Sequence, residues 1–150
     1  MATATDMLVE EELAQLRENA ALLGWTVIGL DGLNFVLGVP AKDGSWLYVR
    51  CEPESYPTWP PAWRWCDPQG GNADAPEVSA TGGQFFHGAG VICAPWNRLA
   101  YKTVDGRGPH DDWDIGAWIT NAKTRQCRTL AAMAGRIAIE AARNFDKRMS

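Results

Sequence analysis

The sequence predicts an α+β fold: an N-terminal helix, a four-stranded antiparallel meander, an irregular cysteine-bearing loop and C-terminal helices. Three observations lead there. Residues 9–23 carry apolar side chains at three- and four-residue steps. Four β-rich runs follow, three joined by short turns and the last set off by a proline-rich segment. Helical spacing returns only after residue 111. Strands gathered together with helices at the ends differ from the alternating strand and helix of a doubly wound sheet. A length of 150 residues suits one domain covering 1–150, and no internal repeat, linker or low-complexity segment suggests a second.

From Asp6 to about Leu23, Val9, Leu13, Leu16, Ala20 and Leu23 form one face, and Glu10, Glu11, Glu12, Arg17 and Glu18 the other. Thr5 or Asp6 is the expected N-cap, and Gly24 the left-handed stop. Trp25 to Leu30 reads as a strand, Asp31-Gly32 as a hairpin turn, and Asn34 to Val39 as the second strand. A turn at Lys42-Asp43-Gly44-Ser45 leads to a third strand, Trp46 to Cys51. Glu52 to Pro61 holds four prolines, which remove backbone donors and exclude helix or central strand. Ala62 to Cys66 is the fourth strand, with Trp63 and Trp65 on one face and Ala62, Arg64 and Cys66 on the other.

Asp67 to Gly83 is glycine-rich and polar, a loop, and Lys102 to His110 is again turn-like. Asp111 or Asp112 is placed to cap a helix holding Trp113, Ile115, Ala117 and Trp118. A last helix carries Leu130, Met133, Ala134, Ile137, Ile139 and Ala141 inward and Arg128, Arg136, Glu140 and Arg143 outward.

The totals narrow the function. A net charge of −4 gives no footprint for gripping a phosphate backbone, so no nucleic-acid partner is expected. No run approaches a membrane span, and the opening Met1-Ala2-Thr3-Ala4-Thr5-Asp6 has neither a basic start nor an apolar signal core. We therefore expect a cytoplasmic protein with no membrane partner. Cysteines 51, 66, 93 and 127 include no Cys-x-x-Cys pair, and there are only two histidines, so reduced thiols are expected and no metal or other cofactor. The eight tryptophans suggest an aromatic core, with some of them at an interface.

Chemistry concentrates in Phe85-Phe86-His87-Gly88-Ala89-Gly90-Val91-Ile92-Cys93-Ala94-Pro95-Trp96. Glycine and proline on both sides exclude a long helix and put Cys93 on a loop or short extended piece at a surface. Cys51 and Cys66 fall at strand ends and Cys127 in or beside a helix, contexts that fit structural thiols.

Taken in order, the first helix, the meander, Tyr56-Pro57-Thr58-Trp59-Pro60-Pro61, His87, Gly90-Val91-Ile92-Cys93 and Trp113-Asp114-Ile115-Gly116-Ala117-Trp118-Ile119 resemble the ubiquitin-conjugating enzyme family. The resemblance covers nearly the whole chain and implies a UBC-like fold in which the cysteine segment is the active-site loop. It also implies an E2-like transferase. Cys93 would accept a ubiquitin-like protein from an E1-like activating enzyme as a thioester and pass it to a protein amine acceptor, because thiolate is both a good nucleophile and a good leaving group.

The chain departs from the family's His-Pro-Asn motif, offering His87-Gly88-Ala89 instead. His87 is expected to hold the loop rather than act as base. Asn97, Tyr101, Asp111 and Asp112 are candidates to replace the missing asparagine: Asn97 as an amide donor, and Asp111 or Asp112 to help deprotonate a lysine. For both aspartates, helix capping is the competing role. This departure looks like the divergent members of bacterial ubiquitin-like conjugation operons, which associates the chain with antiviral defence. The first helix, acidic where the family's is usually basic, would face the activating enzyme, and the turn near Trp59 a ligase.

Two other functions fit the same residues. One is a catalytically degenerate UBC-fold binding module that docks a ubiquitin-like protein or conjugation partner. The other is a thiol hydrolase pairing Cys93 with His87 or His110.

Overall fold

A computed structural model describes residues 3–150; Met1 and Ala2 of the opening run lie outside the described residues. Helix α1 spans Ala4–Leu23, two residues earlier than the apolar spacing implies. Thr3, not Thr5 or Asp6, is its N-cap. The Thr3 hydroxyl accepts the Asp6 N–H at 3.0 Å and the Asp6 carboxylate accepts the Thr3 N–H at 3.1 Å, so two orphan donors are satisfied reciprocally. Gly24, at φ 79°, ends the helix as expected. Val9, Leu13, Leu16 and Ala20 are buried, whereas Leu23 lies out in solvent on the last turn.

Strands β1 (Thr26–Gly29), β2 (Phe35–Pro40), β3 (Trp46–Glu52) and β4 (Ala62–Trp65) form one antiparallel sheet in sequence order. The register aligns Val27, Leu37, Val49 and Trp65 across all four strands. One-face alternation holds for β3, but Phe35 to Val39 is buried on both faces. The inner face meets α2 (Leu130–Asn144), which also packs on α1. Part of the outer face is covered by the loop after β4, where Gly70 sits so close that a Cβ would lie 2.9 Å from Leu30 and 3.3 Å from Val36. The core holds the edge-on pairs Phe35–Trp63, Trp63–Trp96 and Trp65–Phe86. Trp118 is also buried, so four of the eight tryptophans serve the core; Trp59 is exposed.

Several expectations change. The polar stretch through Gly83 contains a short strand, β5 (Ala80–Thr81). It pairs with β8 (Lys147–Arg148) near the chain's end, a link between distant segments that no local pattern encodes. The helix expected from Asp111 or Asp112 is instead two 3-10 turns, Ile115–Thr120 and Ala122–Thr124. Asp114 and Asn121 cap these turns, and Ala117 breaks the helical backbone at φ −113°. The buried Thr124 hydroxyl donates among the carbonyls of Trp118, Ile119 and Asn121 and holds the two turns together. On α2, Ile139 faces solvent and Glu140 is buried, the reverse of their hydropathies. Glu140 pairs with Arg136 at 3.0 Å and accepts from Asn144 Nδ2 at 2.9 Å, which satisfies its charge against the core.

Two cross-chain bonds seat α2. The Glu12 carboxylate accepts the Leu130 N–H at 2.8 Å, at the helix N-terminus, and the Tyr56 hydroxyl at 2.7 Å. An acidic residue read as solvent-facing thus joins α1, α2 and the proline-rich segment. Among the described residues no helix is long and apolar enough to cross a membrane.

Candidate functional site

The cysteine segment opens as a hairpin of β6 (Phe86–His87) and β7 (Val91–Ile92). Its turn closes through Gly90, at φ 85°, whose N–H donates to the His87 carbonyl at 3.0 Å. His87 Nδ1 accepts the Ala89 N–H at 3.0 Å, so this imidazole props the turn. Cys93 follows β7, pinned by its N–H donating to the Phe85 carbonyl at 2.7 Å.

Beyond Cys93 the chain is clamped into the core. Asn97 is fully buried: its Oδ1 accepts the N–H groups of Trp63 at 2.9 Å and Leu99 at 3.3 Å, and its Nδ2 donates to the Ile92 carbonyl at 2.8 Å. Its amide is thus committed to linking β4, β7 and a 3-10 turn at Arg98–Ala100. That commitment removes it as an amide donor to a reacting group. Tyr101 is likewise buried, with its hydroxyl donating to the Pro95 carbonyl at 2.6 Å and burial pushing the phenol up to about 12. It braces the loop and has no free polar group to offer. Arg98 joins this segment to the proline-rich stretch, donating to the Pro60 carbonyl at 2.9 Å and to the Glu54 carbonyl.

Residues 102–110 form a closed excursion. The Lys102 N–H donates to the His110 carbonyl at 2.9 Å and the His110 N–H to the Ala100 carbonyl at 3.2 Å. Gly108 makes this possible, because a Cβ there would meet the Tyr101 carbonyl carbon at 2.7 Å. Arg107 bonds Asp105 at 2.9 Å and Asp74 at 3.1 Å, and Asp74 bonds Arg64 at 2.9 Å, tying the excursion to β4.

The result is to bring His110 back to the cysteine. Its Nε2 lies 3.2 Å from Cys93 Sγ, and its Nδ1 lies 3.3 Å from Asp112 Oδ1. Its ring is stacked on Trp113 with centroids 3.5 Å apart and planes 9° apart. With the shared proton on Nδ1, directed at Asp112, Nε2 is free to accept the thiol proton. Cys93 is half-buried, and burial pushes its thiol pKa up, while the Lys123 ammonium pulls the other way. A thiol raised in this way needs a base at neutral pH, and His110 stands where that base is required.

The structure therefore brings together Cys93 and Asp112, with His110 between them, from the sequence candidates. It places His87 in the turn and Asn97 and Tyr101 in the core, and leaves Asp111 exposed. Neither Asp111 nor Asp112 caps a helix, since Asp114 takes that role. Trp113 and Lys123 were not singled out as site residues by sequence reasoning. The available signal was the run His110-Asp111-Asp112-Trp113, where an imidazole, carboxylates and an indole crowd together after a polar loop. Among the described residues no group of three or more His, Cys, Asp and Glu is arranged to hold a metal ion. No protein family, curated protein or solved structure matches this chain.

Proposed function

We propose that Cys93 is an acyl-carrying nucleophile and that the chain is an E2-like, UBC-fold transferase. It would take a ubiquitin-like protein from an E1-like activating enzyme and deliver it to a protein amine. The observation that carries this reading is the 3.2 Å approach of His110 Nε2 to Cys93 Sγ. His110 takes the thiol proton as sulfur attacks the incoming thioester carbonyl and returns it to the donor's departing sulfur, which leaves as a thiol, so the acyl group stays on Cys93 and Nε2 is free again. In the second step an amine attacks that carbonyl, the C–S bond breaks, a C–N bond forms, and the amine's proton passes through His110 to the Cys93 sulfur, restoring the thiol. Asp112 holds the imidazole in the tautomer that leaves Nε2 unprotonated. The order of motifs along the chain, and the antiparallel meander between α1 and α2, support the UBC-like reading.

The test is charging with an activating enzyme, its ubiquitin-like protein and ATP, read on a non-reducing gel. Wild type is expected to form a thiol-labile adduct that Cys93→Ala lacks. An adduct that persists in Cys93→Ala, or none with wild type, overturns the proposal. Affinity for the ubiquitin-like protein without any adduct points instead to a docking module.

The hydrogen-bonded row Cys93, His110, Asp112 also favours a second reading, a thiol hydrolase acting on acyl substrates. The two differ in the acceptor. A hydrolase releases free acid from a simple thioester with turnover and accumulates little adduct, whereas a transferase stays acylated until an amine arrives.

A further inference from the structure

We propose that a cavity beside the cysteine loop seats the chain of the acyl donor, and that the chain it selects is acidic: a peptide with Asp or Glu a few residues before its reacting carboxyl terminus. This names a substrate class for the reading of Cys93 as an acyl carrier and rests on that reading.

The cavity, of about 590 Å³, opens between the Ala122–Thr124 turn, the stretch that follows it and α2. Its polar lining is Lys123, Arg125, Gln126, Cys127 and Arg136, with no carboxylate among them. Arg136 is paired with Glu140, whereas Lys123 and Arg125 have no ion-pair partner among the described residues. The cavity at the start of α1, close in size at about 540 Å³, carries Asp6, Glu10 and Glu54 instead.

Two cationic arms of the cavity rest on rings that border the cysteine. Arg136 Cζ lies 5.4 Å from the centroid of the Phe85 ring, and the Phe85 carbonyl accepts the Cys93 N–H at 2.7 Å. Lys123 Nζ lies 5.6 Å from the centroid of the Trp113 ring, which stacks on His110 at 3.5 Å; His110 Nε2 is 3.2 Å from Cys93 Sγ. Cavity and thiol are thus neighbours across Phe85 on one path and Trp113 on the other. The Lys123 ammonium also opposes the rise that burial imposes on the Cys93 thiol, so its field reaches the sulfur. The two carboxylates that flank Trp113 in sequence, Asp112 and Asp114, are held at His110 Nδ1 and the Gly116 N–H and do not line the cavity.

An extended peptide advances about 3.3–3.6 Å per residue, so side chains roughly three to five residues before a carbonyl on Sγ reach the cavity. Carboxylates there pair with Arg125 and Lys123, and Gln126 adds an amide donor. The protein's net charge of −4 opposes an acidic donor at long range, so a preference for one has to arise locally.

The experiment charges the full chain with two peptides of equal length, each ending in Gly-Gly as its mercaptoethanesulfonate thioester. One carries Asp and Glu before the diglycine and the other Arg. Mass spectrometry follows the thiol-labile adduct and maps it to Cys93. At low salt the acidic peptide is expected to charge Cys93 about tenfold faster, because attraction of one and repulsion of the other both widen the ratio. High salt should shrink that ratio. Arg125→Glu, at an exposed position, is expected to bring the two rates level or reverse them. Comparing the peptides within each variant cancels any change in the thiol itself. Equal rates in the wild type, faster charging by the basic peptide, or a ratio that Arg125→Glu leaves unmoved overturns this inference while the reading of Cys93 stands. If neither peptide charges Cys93, both fall.

Discussion

His110 and Trp113 lie face to face, with centroids 3.5 Å apart, and that stack fixes the plane of the imidazole beside Cys93 Sγ. A base at hydrogen-bond distance is effective only when its lone pair is aimed. Trp113→Ala should therefore slow thiol-specific alkylation of Cys93 at neutral pH, and Trp113→Phe should restore much of it. The indole is half-buried, so the Ala variant should also lose about 1–3 kcal/mol of stability, read by urea unfolding. Equal alkylation rates in the wild type and the Ala variant would remove the stack from the site's chemistry.

The two histidines should separate cleanly. His110→Gln is expected to reduce acyl transfer to Cys93 by about 10²–10⁴-fold, the usual range for a positioned base. His87→Ala should act on stability instead, because its ring props the Gly88–Gly90 turn. Asp112 is 72% exposed and its contact with His110 is long at 3.3 Å, so Asp112→Asn should cost only about tenfold. Single-turnover charging with a peptide thioester measures all three; a larger effect at His87 than at His110 would reverse the assignment.

Asn97→Ala leaves the Trp63 and Leu99 N–H groups without their Asn97 acceptor in the core, while the Ile92 carbonyl keeps the Ala94 N–H at 3.2 Å. Unsatisfied buried groups cost about 1–3 kcal/mol each, so the loss for these two should be about 2–6 kcal/mol by chemical denaturation. Wild-type stability with reduced amine transfer would return Asn97 to a catalytic role. Glu12→Ala, which removes the acceptor of the Leu130 N–H and leaves the Tyr56 hydroxyl only the Arg128 carbonyl, should cost about 2–3 kcal/mol, with Glu12→Gln recovering part of it.

Alkaline pH should destabilise the fold. Burial pushes the Cys66 thiol and the Tyr101 phenol up to about 12, and raises the Cys51, Cys93 and Cys127 thiols and the Tyr56 hydroxyl. A group that holds its proton more tightly when folded contributes fully below its unfolded pKa, and its contribution is lost as pH rises towards the folded value. For the thiols that loss begins at about pH 8.5. Calorimetry should show Tm steady up to there and falling towards pH 11, with a shallower fall in Cys66→Ala. A Tm independent of pH across that range would contradict the buried thiols.

The α+β order, the four meander strands and the last helix are legible in the chain because each depends on local periodicity and turn chemistry. So is the left-handed stop at Gly24. Cys93 is legible too, as the cysteine flanked by glycine and proline. The errors share one cause. Thr3 capped α1 because Asp6 could answer it from within the first turn. Glu140 turned inward because Arg136 and Asn144 met its charge. Asn97 and Tyr101 were polar residues near the cysteine in sequence, but the backbone groups of β4, β7 and Pro95 claimed them first.

By itself the sequence determined the first helix, the four meander strands and the last helix, their α+β order, and which cysteine lies on a loop between glycine and proline. Tertiary structure alone decided what faces that cysteine. His110 comes from 17 residues further along, carried back by the Tyr101–His110 pairing and the close approach of Gly108 to the Tyr101 backbone. Local pattern encodes backbone dihedrals and the apolar face of each element. The meeting of a thiol, an imidazole and an indole depends instead on how a loop closes, and that is set by contacts between residues far apart in the chain.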